Sequence, residues 1–261
     1  MFFNINDANF YAEEEGQGKT IVLIHGNPYD TRIWKHQIEI LKLGYHVVAY
    51  DIRGTGQTSN LPNMPFSHVS DLEGIFNALG LMDAYLVGLS LGGLIASNFA
   101  FEHAHRVKAL VLVSSDLAGG PVAEDYVRFL ASLKLAMRTG GPEKVTQRYL
   151  ASPVMKSAMA KPKVAALLQE MLMDAKWDIF SEHAPSGITR TITRLDLSEI
   201  KTPTLVLYGA DDIEKFKQNS KIIASEIPDA GLVAIPNSGH FPNIENPDYF
   251  NSQLIRFFDS I

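Results

Sequence analysis

The feature that most constrains this chain is a repeated pairing of two patterns. Short runs rich in Val, Ile and Leu end in Gly, Asp or Ser, and a helical pattern follows. "TIVLIHG" (20–26) precedes "YDTRIWKHQIEILKLG" (29–44), and "HVVAYDIRG" (46–54) precedes "SHVSDLEGIFNALG" (67–80). "AYLVG" (84–88) runs into "LGGLIASNFAFEHAHR" (91–106), and "VKALVLVSS" (107–115) comes next. Continuous apolar runs fit strands buried on both faces. Strands alternating with helices require crossover connections, so the chain predicts a mainly parallel sheet covered on both sides. Only the start differs: "FFNIND" and "NFYAEEE" alternate apolar and polar around an Asn-Asp turn, which predicts a hairpin.

The alternation stops near residue 116. From there to 197 the patterns are helical, best in "EDYVRFLASLKLAMRT" and "KVAALLQEMLMDAKWDIF", and Gly140-Gly141-Pro142 and Ser152-Pro153 punctuate them. It resumes with "PTLVLYG" (203–209), "EKFKQNSKIIASEI", "AGLVAIP" (230–236) and "PDYFNSQLIRFFDSI". The expected architecture is one α/β core, residues 1–115 and 198–261, interrupted by a helical insert, 116–197. An insert placed after a strand end sits over the edge where open α/β sheets bind ligands. Its methionines, Met137, Met155, Met159, Met171 and Met173, have helical spacing and are expected mostly in the core.

Composition narrows the function. A formal net charge of −6 without a basic run argues against nucleic acid and anionic membrane surfaces as partners. The chain has no cysteine, which excludes a thiol nucleophile and thiolate metal sites. No apolar stretch approaches membrane-spanning length, and the N-terminus lacks a basic region and an apolar core, so a cytoplasmic location is expected. No metal-ligand spacing stands out, and "RGTGQT" (53–58) lacks the Lys of a phosphate loop, so no cofactor or metal is expected.

One junction carries chemistry. Gly88-Leu89-Ser90-Leu91-Gly92 joins a buried strand directly to a buried helix. A turn that tight strains its central residue and needs small neighbours, and it presents the central side chain above the sheet. The helix N-terminus then favours negative charge developing next to Ser90. A serine hydroxyl needs a base. Among the eight histidines, His36, His46, His68, His103, His105 and His183 lie in or beside elements or in the insert and are expected to be structural. His240, in "NSGHFPN", follows the last predicted strand and so reaches the same sheet edge as Ser90. Asp211 and Asp212 end the preceding strand, and Asp116 follows an earlier one; each is a candidate acid to orient the histidine. "HGNP" (25–28) after the third strand can aim a main-chain N–H inward. Pro28 has none, so Asn27 is the expected oxyanion donor, with Leu91 as the second.

These pieces, "LIHGNP", "YDIRGTGQTS", "VGLSLGG", "LVLYGADD" and "SGHFPNIENP", resemble the α/β-hydrolase superfamily in order and across nearly the whole chain. The resemblance implies Asp212 as the acid, His240 as the base and a helical cap over 116–197. "GLSLGG" looks most like the capped serine carboxylesterase and enol-lactonase branch. The spacing from "HGNP" to Trp34 looks more like haloalkane dehalogenases, whose nucleophile is Asp. Ser90 argues against that chemistry, because an alkylated serine is an ether that water does not readily cleave. The expected function is therefore hydrolysis of a small carboxylic ester or lactone through an acyl-serine. The alternatives with the same residues are a perhydrolase of the non-haem haloperoxidase kind, an amidase or a carbon–carbon bond hydrolase. A ligand receptor with little turnover is the alternative from another class.

Overall fold

The structure is a computed structural model and describes residues 1–59, 66–180 and 195–261. His183 lies outside these, as do the other insert residues from 181 to 194. The hairpin is formed by β1 (Phe2–Ile5) and β2 (Ala8–Glu15). There follow β3 (Thr20–Ile24), α1 (Lys35–Leu41), β4 (His46–Tyr50), α2 (His68–Ala78), β5 (Ala84–Leu89), α3 (Leu91–Glu102) and β6 (Val107–Val113). Between β6 and β7 (Thr204–Gly209) come α4 (Glu124–Leu150), α5 (Lys156–Met159) and α6 (Pro162–Asp174). The chain closes with α7 (Glu214–Glu226), β8 (Gly231–Ile235), α8 (Pro242–Glu245) and α9 (Pro247–Phe258).

The eight strands form one sheet in the order β1-β2-β4-β3-β5-β6-β7-β8. The pairs β1–β2 and β2–β4 are antiparallel, and every later pair is parallel. The period of two along each strand divides the core. Ile21, Leu23, Val87, Val111 and Leu207 face α1 and α9, and the same cluster takes in Leu133, Val145, Leu168 and Met171 of the helices between β6 and β7. Val22, Ile24, Leu86, Leu112 and Val206 face the other side, against α2, α3 and α7. Each such side chain contributes roughly 1.5–3 kcal/mol by leaving water. From Gly92 to Ala100, α3 is buried throughout, which explains a helix apolar on all faces.

Two details bear on the sequence reading. Gly140-Gly141-Pro142 interrupts the insert's first helical stretch as expected: Gly141, with φ 63° and ψ −161°, is non-helical, so α4 is two helical segments that meet at a kink there. Pro142 has no N–H to donate back, and glycine takes the conformation that absorbs the bend. Met155 and Met171 are buried as expected, but Met173 is 76% exposed at the end of α6.

Candidate active site

Ser90 lies between β5 and α3 with φ 53° and ψ −115°, a costly conformation for a residue with a side chain. Its backbone is over-determined. The N–H donates to Val113 O at 2.9 Å, and the carbonyl accepts from Gly93, Leu94 and Asp116 N–H groups. The flanking glycines are steric necessities: a Cβ on Gly88 would lie 2.2 Å from Gly92 O, and one on Gly92 would lie 2.1 Å from Ile24 O. Ser90 is 8% exposed.

His240 and Asp212 meet across the β7 and β8 ends. His240 Nδ1 lies 3.1 Å from Asp212 Oδ2. A carboxylate only accepts, so Nδ1 holds the proton and Nε2 is left as the basic nitrogen. Asp212 Oδ1 accepts from Ile213 N–H at 2.7 Å, so both carboxylate oxygens are engaged. The loop carrying His240 folds back onto β7, where Asp211 N–H donates to Ser238 O at 2.8 Å. No hydrogen bond joins Ser90 Oγ to His240; such pairs are commonly long in unliganded enzymes and tighten on substrate. Packing nevertheless links their two loops. Gly26 lies against Ser90 closely enough that a Cβ there would be 2.9 Å from Ser90 Cβ. Tyr29, three residues on, packs edge-on against Phe241 at 5.1 Å.

Neither Asn27 nor Leu91 N–H has a protein acceptor among the described residues. The loop that holds Asn27 is braced from below. His25 Nε2 accepts from Ile52 N–H at 2.9 Å, which places the ring proton on Nδ1, 2.9 Å from Gly26 O. Buried Asp51 takes Thr31 N–H at 2.8 Å and Gln57 N–H at 2.7 Å. Burial raises the Asp51 pKa above the ordinary carboxylate value.

The other candidate acid is placed elsewhere. Asp116 forms an ion pair with Lys215, whose ammonium lies 4.1 Å from the Phe216 ring centre. Phe216 in turn packs on the His240 ring at 4.1 Å between centres. Phe216 is not singled out by the sequence; its one cue is an aromatic four residues after Asp212, in the first turn of the next helix. A further link binds this region to the insert. Buried Glu245 accepts from Ser157 Oγ and from Lys161 Nζ at 3.0 Å, and its other oxygen takes Phe241 N–H at 3.2 Å. Among the described residues no group of three His, Cys, Asp or Glu side chains is spaced to hold a metal ion. No helix among them is long and apolar enough to cross a membrane.

The residues match a known pattern over most of their length. The model of the Alpha/beta hydrolase family matches residues 21–253. The chain belongs to that family. This α/β hydrolase is 27% identical to the pimeloyl-[acyl-carrier protein] methyl ester esterase of Chromobacterium violaceum, over 97% of this chain and 99% of the relative. Among solved structures it resembles a thermophilic esterase from Thermogutta terrifontis, with TM-score 0.83 and 26% identity over 97% of this chain and 94% of that one. The enol-lactonase from Burkholderia xenovorans shares the fold, with TM-score 0.83 at 22% identity, over 99% of this chain and 100% of that one. The two esterases fall in the branch named from "GLSLGG", and the likeness to the enol-lactonase is one of fold.

His68, expected to be structural, is the first residue of α2, after the Ser67 cap, beside this site. Burial lowers its pKa from 6.5 to about 4. The unfolded chain therefore binds a proton below pH 6.5 that the folded hydrolase refuses until about pH 4. Stability contributed by the neutral ring is complete above pH 6.5 and is lost as pH falls towards 4. At 1.36 kcal/mol per unit the loss is about 3 kcal/mol. His68→Gln is expected to flatten the pH dependence of urea unfolding across that window; an unchanged slope would contradict it.

Proposed function

We propose that this hydrolase cleaves a small carboxylic ester or lactone through an acyl-serine intermediate. The observation that carries the reading is Ser90, held in its strained turn at the start of α3, at the sheet edge that also carries the His240–Asp212 pair. Ser90 Oγ attacks the carbonyl carbon and passes its proton to His240 Nε2. Asp212 holds the ring in the tautomer that leaves Nε2 free and stabilises the imidazolium that forms. The carbonyl oxygen gains charge and is received by the Asn27 and Leu91 N–H groups, which have no competing acceptor among the described residues. His240 then returns the proton to the leaving alcohol. It takes another from water, which attacks the acyl-serine, and delivers that proton to Ser90 Oγ as the acyl–oxygen bond breaks and the acid leaves.

Asp212 as the orienting acid is supported by its contact with His240 and by the engagement of Asp116 with Lys215. The segment between β6 and β7 acts as the cap: Tyr149 of α4 packs on Tyr29, and Trp177, after α6, packs on Tyr149. Methyl ester cleavage by the named relative of similar length supports an ester substrate. The test is a fluorophosphonate probe followed by a panel of short-chain esters and lactones. Labelling confined to Ser90 with turnover of at least one panel member is expected. Absence of both labelling and turnover overturns the reading.

A further inference from the structure

Beside the oxyanion donors lies a narrow cavity of about 20 Å³ whose walls include Asn27, Leu91, Arg53, His68, Lys176 and Asp178. One ordered water needs roughly 10–15 Å³ of such space, so the cavity takes a small terminal group and not a chain. Its walls are rich in donors. The Asn27 and Leu91 N–H groups have no acceptor among the described residues. The Lys176 ammonium gives one hydrogen bond, to Thr58 O, and no carboxylate lies within ion-pair distance of it among the described residues. An ammonium group has three donors, so two are left. The buried His68 ring makes edge contact with Phe66 and has no hydrogen-bond partner among the described residues. Arg53 is committed to Asp71, at 2.6 and 2.8 Å. Asp178 is the one acid in the lining.

We propose that this cavity is a subsite for a carboxylate carried by the acyl part of the substrate, received by the Lys176 ammonium and the His68 N–H. The proposal rests on the ester or lactone reading above and names its substrate class: esters or lactones of short acids with a second carboxyl group. The spacer is short because the cavity shares its walls with the oxyanion donors, so the charge lies within a few bonds of the carbonyl being cleaved. A desolvated ammonium favours such a ligand, since a charge-assisted hydrogen bond replaces the water it has lost. Burial lowers the Lys176 pKa, and a bound carboxylate offsets that cost. Asp178 works against an anion, and the site discriminates by the donors that outnumber it.

The test compares monomethyl malonate, succinate and glutarate with the corresponding dimethyl esters, which have equal acyl length and no charge. Acid release is followed for the unmodified enzyme, Lys176→Met and Lys176→Arg, with p-nitrophenyl acetate alongside. The unmodified enzyme is expected to favour at least one monoester over its diester by tenfold or more in kcat/KM. Lys176→Met should erase that preference mainly through KM, and Lys176→Arg should keep most of it. A preference that survives Lys176→Met, or equal or better turnover of all three diesters, overturns the subsite. Failure to hydrolyse any ester, p-nitrophenyl acetate included, overturns the hydrolase reading itself and the subsite with it.

Discussion

Ser90→Ala is expected to lower kcat for any ester substrate by about 10⁴–10⁶-fold while the enzyme keeps its fold. The size of the effect follows from the loss of the covalent route. Without Oγ, only water can attack the bound carbonyl, and the residual rate reflects binding and the Asn27 and Leu91 donors. Alanine fits the site as well as serine does, since Ser90 Oγ makes no hydrogen bond among the described residues and the strain resides in the backbone. Stability should therefore change little. Single-turnover kinetics with an activated ester would show it: a burst in the unmodified enzyme, none in the variant. A variant within tenfold of the unmodified rate would exclude Ser90 as the nucleophile.

The second large effect separates two aspartates. Asp212→Asn should reduce kcat by about 10⁴-fold, because an amide beside Nδ1 can stabilise the wrong histidine tautomer and no longer supports the imidazolium. Asp116→Asn should stay within roughly threefold. Its carboxylate pairs with Lys215 and is partly exposed, where an ion pair is worth about 0–1 kcal/mol. Its backbone N–H to Ser90 O, at 3.1 Å, survives the substitution. Parallel kcat measurements decide the assignment, and the reverse ranking would move the acid to Asp116.

Much of this was legible in the chain because strands buried on both faces must be apolar throughout. Ile21 to Ile24 and Leu110 to Val113 are fully buried, and no other pattern could satisfy those positions. Ser90, Asp212 and His240 were legible for a related reason: each follows a strand of one parallel sheet, so topology alone carries them to one edge. What stayed hidden depends on contacts between distant segments. Lys176 and His68 look like ordinary surface and helix-start residues, and only the packing of the stretch after α6 against the "HGNP" turn gives them a shared cavity.

The Glu245 link has a consequence for transplantation. Ser157 and Lys161 come from the insert, while Glu245 and Phe241 N–H belong to the segment that follows His240. An insert that lacks donors at positions 157 and 161 would leave the Glu245 carboxylate without them, in the segment that follows His240. Chimaeras of this hydrolase should therefore be cut so that residues 157, 161 and 237–245 travel together. The insert and the histidine loop form one inheritable module, although β7, α7 and β8 separate them along the chain.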